Sequence, residues 1–177
     1  SDSGFAVKDH YQIDKKLGNW TDIYGQSKIT NIMADVVINH ASSKGLWFKN
    51  FLINKSPGKD YFLTVDNKFN ISKVIRPREN RLLKKISVFK KNFFIWRTFS
   101  DDQIDLNFKN PRVLLRIIKI MINLANHGAT IFRLDAVAYL WKKSGSKCIN
   151  LKETHETIRL LRIVCNLLKS KPIIITE

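Results

Sequence analysis

Three apolar runs, each closing on polar residues and set apart by amphipathic stretches, constrain this chain more than any other feature in it. Residues 32–38 (IMADVVI) are β-branched and almost continuously apolar, the pattern of a strand covered on both faces. Residues 129–134 repeat that pattern, and residues 173–176 repeat it after Lys171-Pro172. Between the first two runs, Asn110-Pro111 reads as a helix start, with Asn as the N-cap and Pro at the first helical position. Val113, Leu114, Ile117, Ile118, Met121, Ile122 and Ala125 then recur at helical spacing, and His127-Gly128 supplies the stop. Between the second and third runs the spacing predicts a helix over about residues 151–169, with Ile158, Leu161, Val164, Cys165 and Leu168 on one face. Strand, helix, strand, helix, strand predicts right-handed βαβ units around a parallel sheet.

Residues 41–110 differ in character. A helix is expected within 43–54, carrying Leu46, Trp47, Phe51 and Leu52. Beyond it the segment is irregular, broken at Pro57-Gly58, with short strand-like pieces such as Phe93-Phe94-Ile95-Trp96. A further short helix around residues 20–29 is weakened by Gly25.

Lys and Arg number 31 against 15 Asp and Glu, a net charge of +16. Nucleic-acid binding would need those cations gathered on one face with groove-reading or stacking partners. They are instead spread along the chain, the densest group being Arg76, Arg78, Arg81, Lys84, Lys85, Lys90 and Lys91. With 22 Lys, 22 Ile and 15 Asn, the excess reads as the composition of an AT-rich coding sequence, and no nucleic-acid partner is expected. No apolar run reaches the ~18 residues of a membrane span, SDSGFAVKDH at 1–10 shows neither a basic nor an apolar signal region, and no membrane partner is expected. Cys148 and Cys165 form no CxxC or disulfide framework, which points to a reduced, cytoplasmic protein.

The strand ends carry the chemistry. The first run holds Asp35 and closes on Asn39-His40, the second ends in Arg133 and Asp135, and the third in Glu177. In parallel α/β architectures the carboxyl ends of the strands are where sites are built. On neighbouring strands, about 4.8 Å apart, the Asp135 and Glu177 carboxyls could approach ~5–5.5 Å, the separation of a retaining glycosidase pair. Arg133, on the same side of its strand as Asp135, is expected to keep Asp135 ionised; Glu177, farther from that cation, is expected to carry the raised pKa of a proton donor.

These residues resemble the α-amylase clan of retaining α-glycosidases, and most closely its sucrose phosphorylase-like branch. DVVINH at 35–40, QIDLN at 103–107, FRLDAV at 132–137 and IITE at 174–177 stand in the clan's order, preceded by GFAVKDHYQID at 4–14 and GNW at 18–20. RPR at 76–78, the WRTFSDDQIDLNFKNP run, LDAVAYLWKKSGSKC and KETHETIRLLR carry the branch-level likeness. The resemblance implies α/β architecture: a partial (β/α)8 TIM barrel of about strands 2–5, residues 1–40 and 111–177 forming the barrel and 41–110 a long inserted subdomain after strand 3. It implies Asp135 as nucleophile, Glu177 as acid/base, Arg133 as the arginine orienting the nucleophile, and His40 and Asp9 as contacts of the donor glucose. Arg76 and Arg78 are placed near phosphate. The substrates implied are a small sugar glucoside and inorganic phosphate, with no cofactor and no metal. It further implies an internal fragment, poorly stable and inactive by itself, whose clan-type third carboxylate lies outside the 177 residues. A hydrolase or transglucosidase of the same clan, and a basic binding protein that has lost catalysis, stay open as alternatives.

Overall fold

The computed structural model describes residues 4–88 and 91–177; residues 1–3, 89 and 90, among them Lys90 of the basic group, lie outside the described residues. In chain order the elements are α1 (Trp20–Gln26), β1 (Ile32–Val37), β2 (His40–Ser42), α2 (Leu46–Leu52), β3 (Thr64–Val65), β4 (Leu83–Val88), β5 (Lys91–Trp96), β6 (Gln103–Asp105), α3 (Pro111–Asn126), β7 (Ala129–Asp135), α4 (Lys152–Leu167) and β8 (Ile173–Thr176). A short 3-10 turn, Val137–Tyr139, follows β7.

The helices start where side chains can satisfy the first free amides. Asn110 accepts a hydrogen bond from the Arg112 amide at 3.0 Å, and Pro111 opens α3 without needing a partner for an N–H. Asn19 and Asp22 cap α1 reciprocally, which compensates for Gly25 inside it. The apolar stripe of α3 buries Val113, Ile117, Ile120 and Met121.

The three apolar runs form one parallel sheet in the order β1-β7-β8. Asp35 stands opposite Arg133, Val37 opposite Asp135, and Leu134 opposite Thr176, so the strand tips are aligned. This is the parallel sheet read from the sequence, with three strands among the described residues where about four were expected. The GFAVKDH segment at 4–10 runs without strand pairing, tied to β2 through the Ser42 amide on the Val7 carbonyl. Burial also differs from expectation. Only the last two residues of β1 are buried, and Ile173 and Ile175 of β8 are 59% and 45% exposed. Among the described residues β8 pairs with β7 alone.

Between β1 and α3 lie two small antiparallel sheets, β2-β6 and β3-β5-β4. Their apolar residues share the core of the parallel sheet. Phe48, Phe51, Phe62, Ile104 and Leu106 pack with Val36, Ile117, Phe132 and Leu134 in one buried cluster. Each such side chain contributes roughly 1.5–3 kcal/mol when fully buried, so this cluster is what fastens the segment onto the carboxyl end of the sheet. A second, smaller cluster joins Leu63, Val65, Leu82 and Trp96 to Cys148.

Candidate functional site

Beneath the strand tips lies a buried polar knot. Asp105, at the end of β6, is fully buried and accepts from the Thr98 amide at 2.9 Å, the Thr98 hydroxyl at 2.6 Å and the Asn39 amide nitrogen at 3.0 Å. It also forms an ion pair with Lys142, whose ammonium donates to Asn39 Oδ1 at 3.0 Å. Every polar group there has a partner, which is the condition for burying charge at all.

The knot orients His40. Phe5 O can only accept, so the 3.1 Å contact to His40 Nε2 places the ring proton on that nitrogen. His40 Nδ1 then accepts from Asn39 Nδ2 at 3.3 Å. The two contacts fix the orientation of the His40 ring. Its ring lies 5.3 Å from Phe99, which in turn meets Tyr139 edge-on at 5.3 Å.

Above this floor opens a cavity of about 840 Å³, well within the size range of ligand pockets. His40, Asp135 and Glu177 line it together with Phe5, Phe99 and Tyr139. Pro77, Arg78, Ser100, Gln103, Ala136 and Ala138 complete the lining. Of the residues singled out in the sequence, four therefore meet: His40, Asp135, Glu177 and Arg78. Asp9 and Arg76 are exposed and outside the lining, Asp9 accepting from the Tyr11 amide at 2.8 Å. His10, beside Asp9, is stacked on Trp47, and burial pulls its pKa down to about 4, so it is neutral at pH 7.

The electrostatics correct one expectation. Arg133 forms its ion pairs with Asp35 and, at 2.5 Å, with Glu177 rather than with Asp135. The register explains it: Asp35 is the cross-strand partner of Arg133 on β1, and β8 brings Glu177 to the other side. Glu177 thus sits on the arginine, not apart from it. Asp135 is the carboxyl pushed above the ordinary value, first by burial and then by the Glu177 carboxylate, with Arg133 opposing both. Directly after Asp135 the chain turns through a left-handed Ala136 (φ 58°), an uncommon conformation for a residue with a Cβ, and the Val137 amide returns to the Glu177 carbonyl at 3.2 Å. That return locks the tips of β7 and β8 together.

Phe5, Phe99, Tyr139 and the Asp105–Lys142 pair were not assigned from the sequence. Lys142 and Lys143 stand together after the apolar run AVAYLW, and nothing in the sequence says that the first of them is the buried one.

The α-amylase catalytic-domain model matches residues 1–173. The chain belongs to the α-amylase catalytic-domain family. Within it, the chain is 41% identical over 177 residues to a glucosylglycerate phosphorylase of Spirochaeta thermophila, covering all of this chain and 30% of that protein. It is 30% identical over 165 residues to a sucrose phosphorylase of Agrobacterium vitis, covering 88% of this chain and 34% of that one. Among solved structures, the sucrose 6F-phosphate phosphorylase from Thermoanaerobacter thermosaccharolyticum superposes with a TM-score of 0.89 at 26% identity, over 99% of this chain and 39% of that one. The chain spans about a third of the curated relatives it matches. Its three parallel strands are accordingly part of the barrel of this family, and its similarity lies with the family's sucrose phosphorylase-like branch. Among the described residues no helix is long and apolar enough to cross a membrane.

Proposed function

We propose that this chain forms the glucosyl-transferring part of a glucoside phosphorylase, a whole protein that moves glucose reversibly between a small α-glucoside and inorganic phosphate. The observation that carries this reading is the convergence of Asp135, Glu177, His40 and Arg78 on one cavity at the tips of adjacent parallel strands. Asp135 attacks the anomeric carbon as the glycosidic C–O bond breaks, and Glu177, ion-paired with Arg133 in the free site, acts from its protonated form once substrate is bound and gives that proton to the leaving oxygen. A phosphate oxygen then attacks the same carbon, its proton passes to Glu177, and the Asp135 carboxylate is released. Burial raises Asp135 by disfavouring its charged form, and the glucosyl ester is uncharged. The environment that destabilises the free carboxylate therefore favours the covalent intermediate relative to it.

Arg78, exposed on the loop over the mouth, supplies a positive field for an anionic acceptor, with Arg76 adding to it from outside the lining. His40, in the cavity wall, meets a hydroxyl of the donor glucose, and Asp9 stays outside the lining. Residues 41–110 act as an inserted subdomain that brings Arg78 to the barrel residues 1–40 and 111–177. The 41% identity to a glucosylglycerate phosphorylase, against 30% to a sucrose phosphorylase, supports a glycerate-type leaving group.

Supplied with a glucosylglycerate or sucrose donor, the whole protein should release glucose 1-phosphate only when phosphate is present. Arg78→Gln should raise KM for phosphate roughly tenfold, as the loss of one charged contact does. Free glucose released at the same rate with and without phosphate would contradict the reading.

A further inference from the structure

We propose that Ser144 is a positioning residue for the acceptor side of the site, holding the arginine-bearing loop against the segment that follows the nucleophile strand. This rests on the reading that Arg78 faces phosphate. Two stretches far apart in sequence are laced together here. The Asn70 amide donates to Ser144 Oγ at 2.9 Å, the Gly145 amide donates to the Asn70 carbonyl at 2.9 Å, and the Ile75 amide donates to the Lys147 carbonyl at 3.0 Å. Gly145 takes φ +74° with open space around it, the conformation that turns its N–H toward Asn70.

The lacing has two ends that matter. On one side, the Asn150 amide returns to the Ala138 carbonyl at 2.9 Å, so the bracket 143–150 closes three residues beyond Asp135. On the other, Ile75 is the last residue held before Arg76-Pro77-Arg78-Glu79, a span with no hydrogen bond or ion pair to another described residue. The chain is caught again at Asn80, whose side chain donates to the Arg97 carbonyl at 3.3 Å. Cys148, buried at the bracket's end, packs into the same small cluster as Leu82, just beyond the span, with Phe69 and Val74 packed around it. Arg78 therefore owes its place at the cavity mouth to its flanks. The Ser144–Asn70 contact is the side-chain link among them that touches neither the cavity nor the buried core.

Ser144 is exposed, so Ser144→Ala should leave folding intact, with an unchanged thermal midpoint as the control. In the whole protein it should raise KM for inorganic phosphate about three- to tenfold, the equivalent of one lost hydrogen bond. The kcat at saturating phosphate and the rate of glucosyl transfer to water should stay unchanged, and Ser144→Thr, which keeps the hydroxyl, should restore KM. An unchanged KM for phosphate, or an equal loss in phosphorolysis and hydrolysis, overturns the proposal. Arg78→Gln measured alongside separates the two readings. If it raises KM while Ser144→Ala does not, the positioning role fails alone; if neither does, the phosphate-facing role of Arg78 fails first.

Discussion

Asp135 is held in an environment that suits an ester better than an anion, and that preference has a measurable sign. Its pKa is raised in the fold, so the stability it contributes is complete below the unfolded value of 3.8 and is lost as pH rises through the folded value. At neutral pH the ionised carboxylate is a liability to the fold. Asp135→Asn should therefore melt a few degrees higher than the parent at pH 7, and the difference should vanish as the pH falls below 3.8, where both side chains are neutral. The same substitution should lower glucosyl transfer by on the order of 10⁴-fold or more, as loss of a nucleophile does. Melting curves across pH check the first part and turnover the second; a variant less stable than the parent at pH 7 would refute the electrostatic reading. At this scale the sequence reading paired Arg133 with Asp135, and the structure pairs it otherwise. Arg133 and Asp135 are two positions apart on one strand, which suggested a pair, but the partners that matter, Asp35 and Glu177, come from neighbouring strands 98 and 44 positions away. Cross-strand register is what decides such pairs, and no spacing in the sequence encodes it.

Elements carried by strong periodicity were legible, and those defined by tertiary pairing were not. The 16 residues of α3 and the 16 of α4 declare themselves by stripe and stop signals, and the apolar runs at 32–38, 129–134 and 173–176 became β1, β7 and β8. By contrast β3 has two residues and β2 and β6 have three each, too few for any period to register. Yet it is β6 that carries Asp105 into the buried knot, joining the end of β1 through Asn39, Thr98 after β5 and Lys142 after β7. Removing one partner from a fully buried pair leaves an uncompensated charge and costs about 3–5 kcal/mol. Lys142→Met should destabilise the fold by that amount, measured by chemical denaturation. Pairing it with Asp105→Asn should recover much of the loss, because no charge is then stranded. A Lys142→Met variant as stable as the parent would mean the knot does not hold these elements together.

For the whole molecule, the parallel sheet follows from alternation of runs and helices, and the family match over residues 1–173 agrees with it. What alternation could not foretell is how unequally the strands are buried. Ile173 and Ile175 are exposed in this chain, which spans about a third of the curated relatives it matches, and only the last two residues of β1 are buried. Nor could it foretell that residues 41–110 would share the barrel core, since long-range packing of Phe48, Phe51 and Phe62 has no local signature. The β7–β8 register puts Asp135 and Glu177 at adjoining strand ends, and Arg78 lines the same cavity. The account stands on Asp135 forming the bond to glucose. A fluorinated glucosyl donor that forms the adduct faster than it breaks should, with the whole protein, add the mass of one fluoroglucosyl unit to the peptide containing Asp135. The adduct should disappear faster with phosphate than with buffer alone. Labelling of any other residue, or turnover without an adduct in the Asp135→Asn protein at the parent's rate, would contradict it.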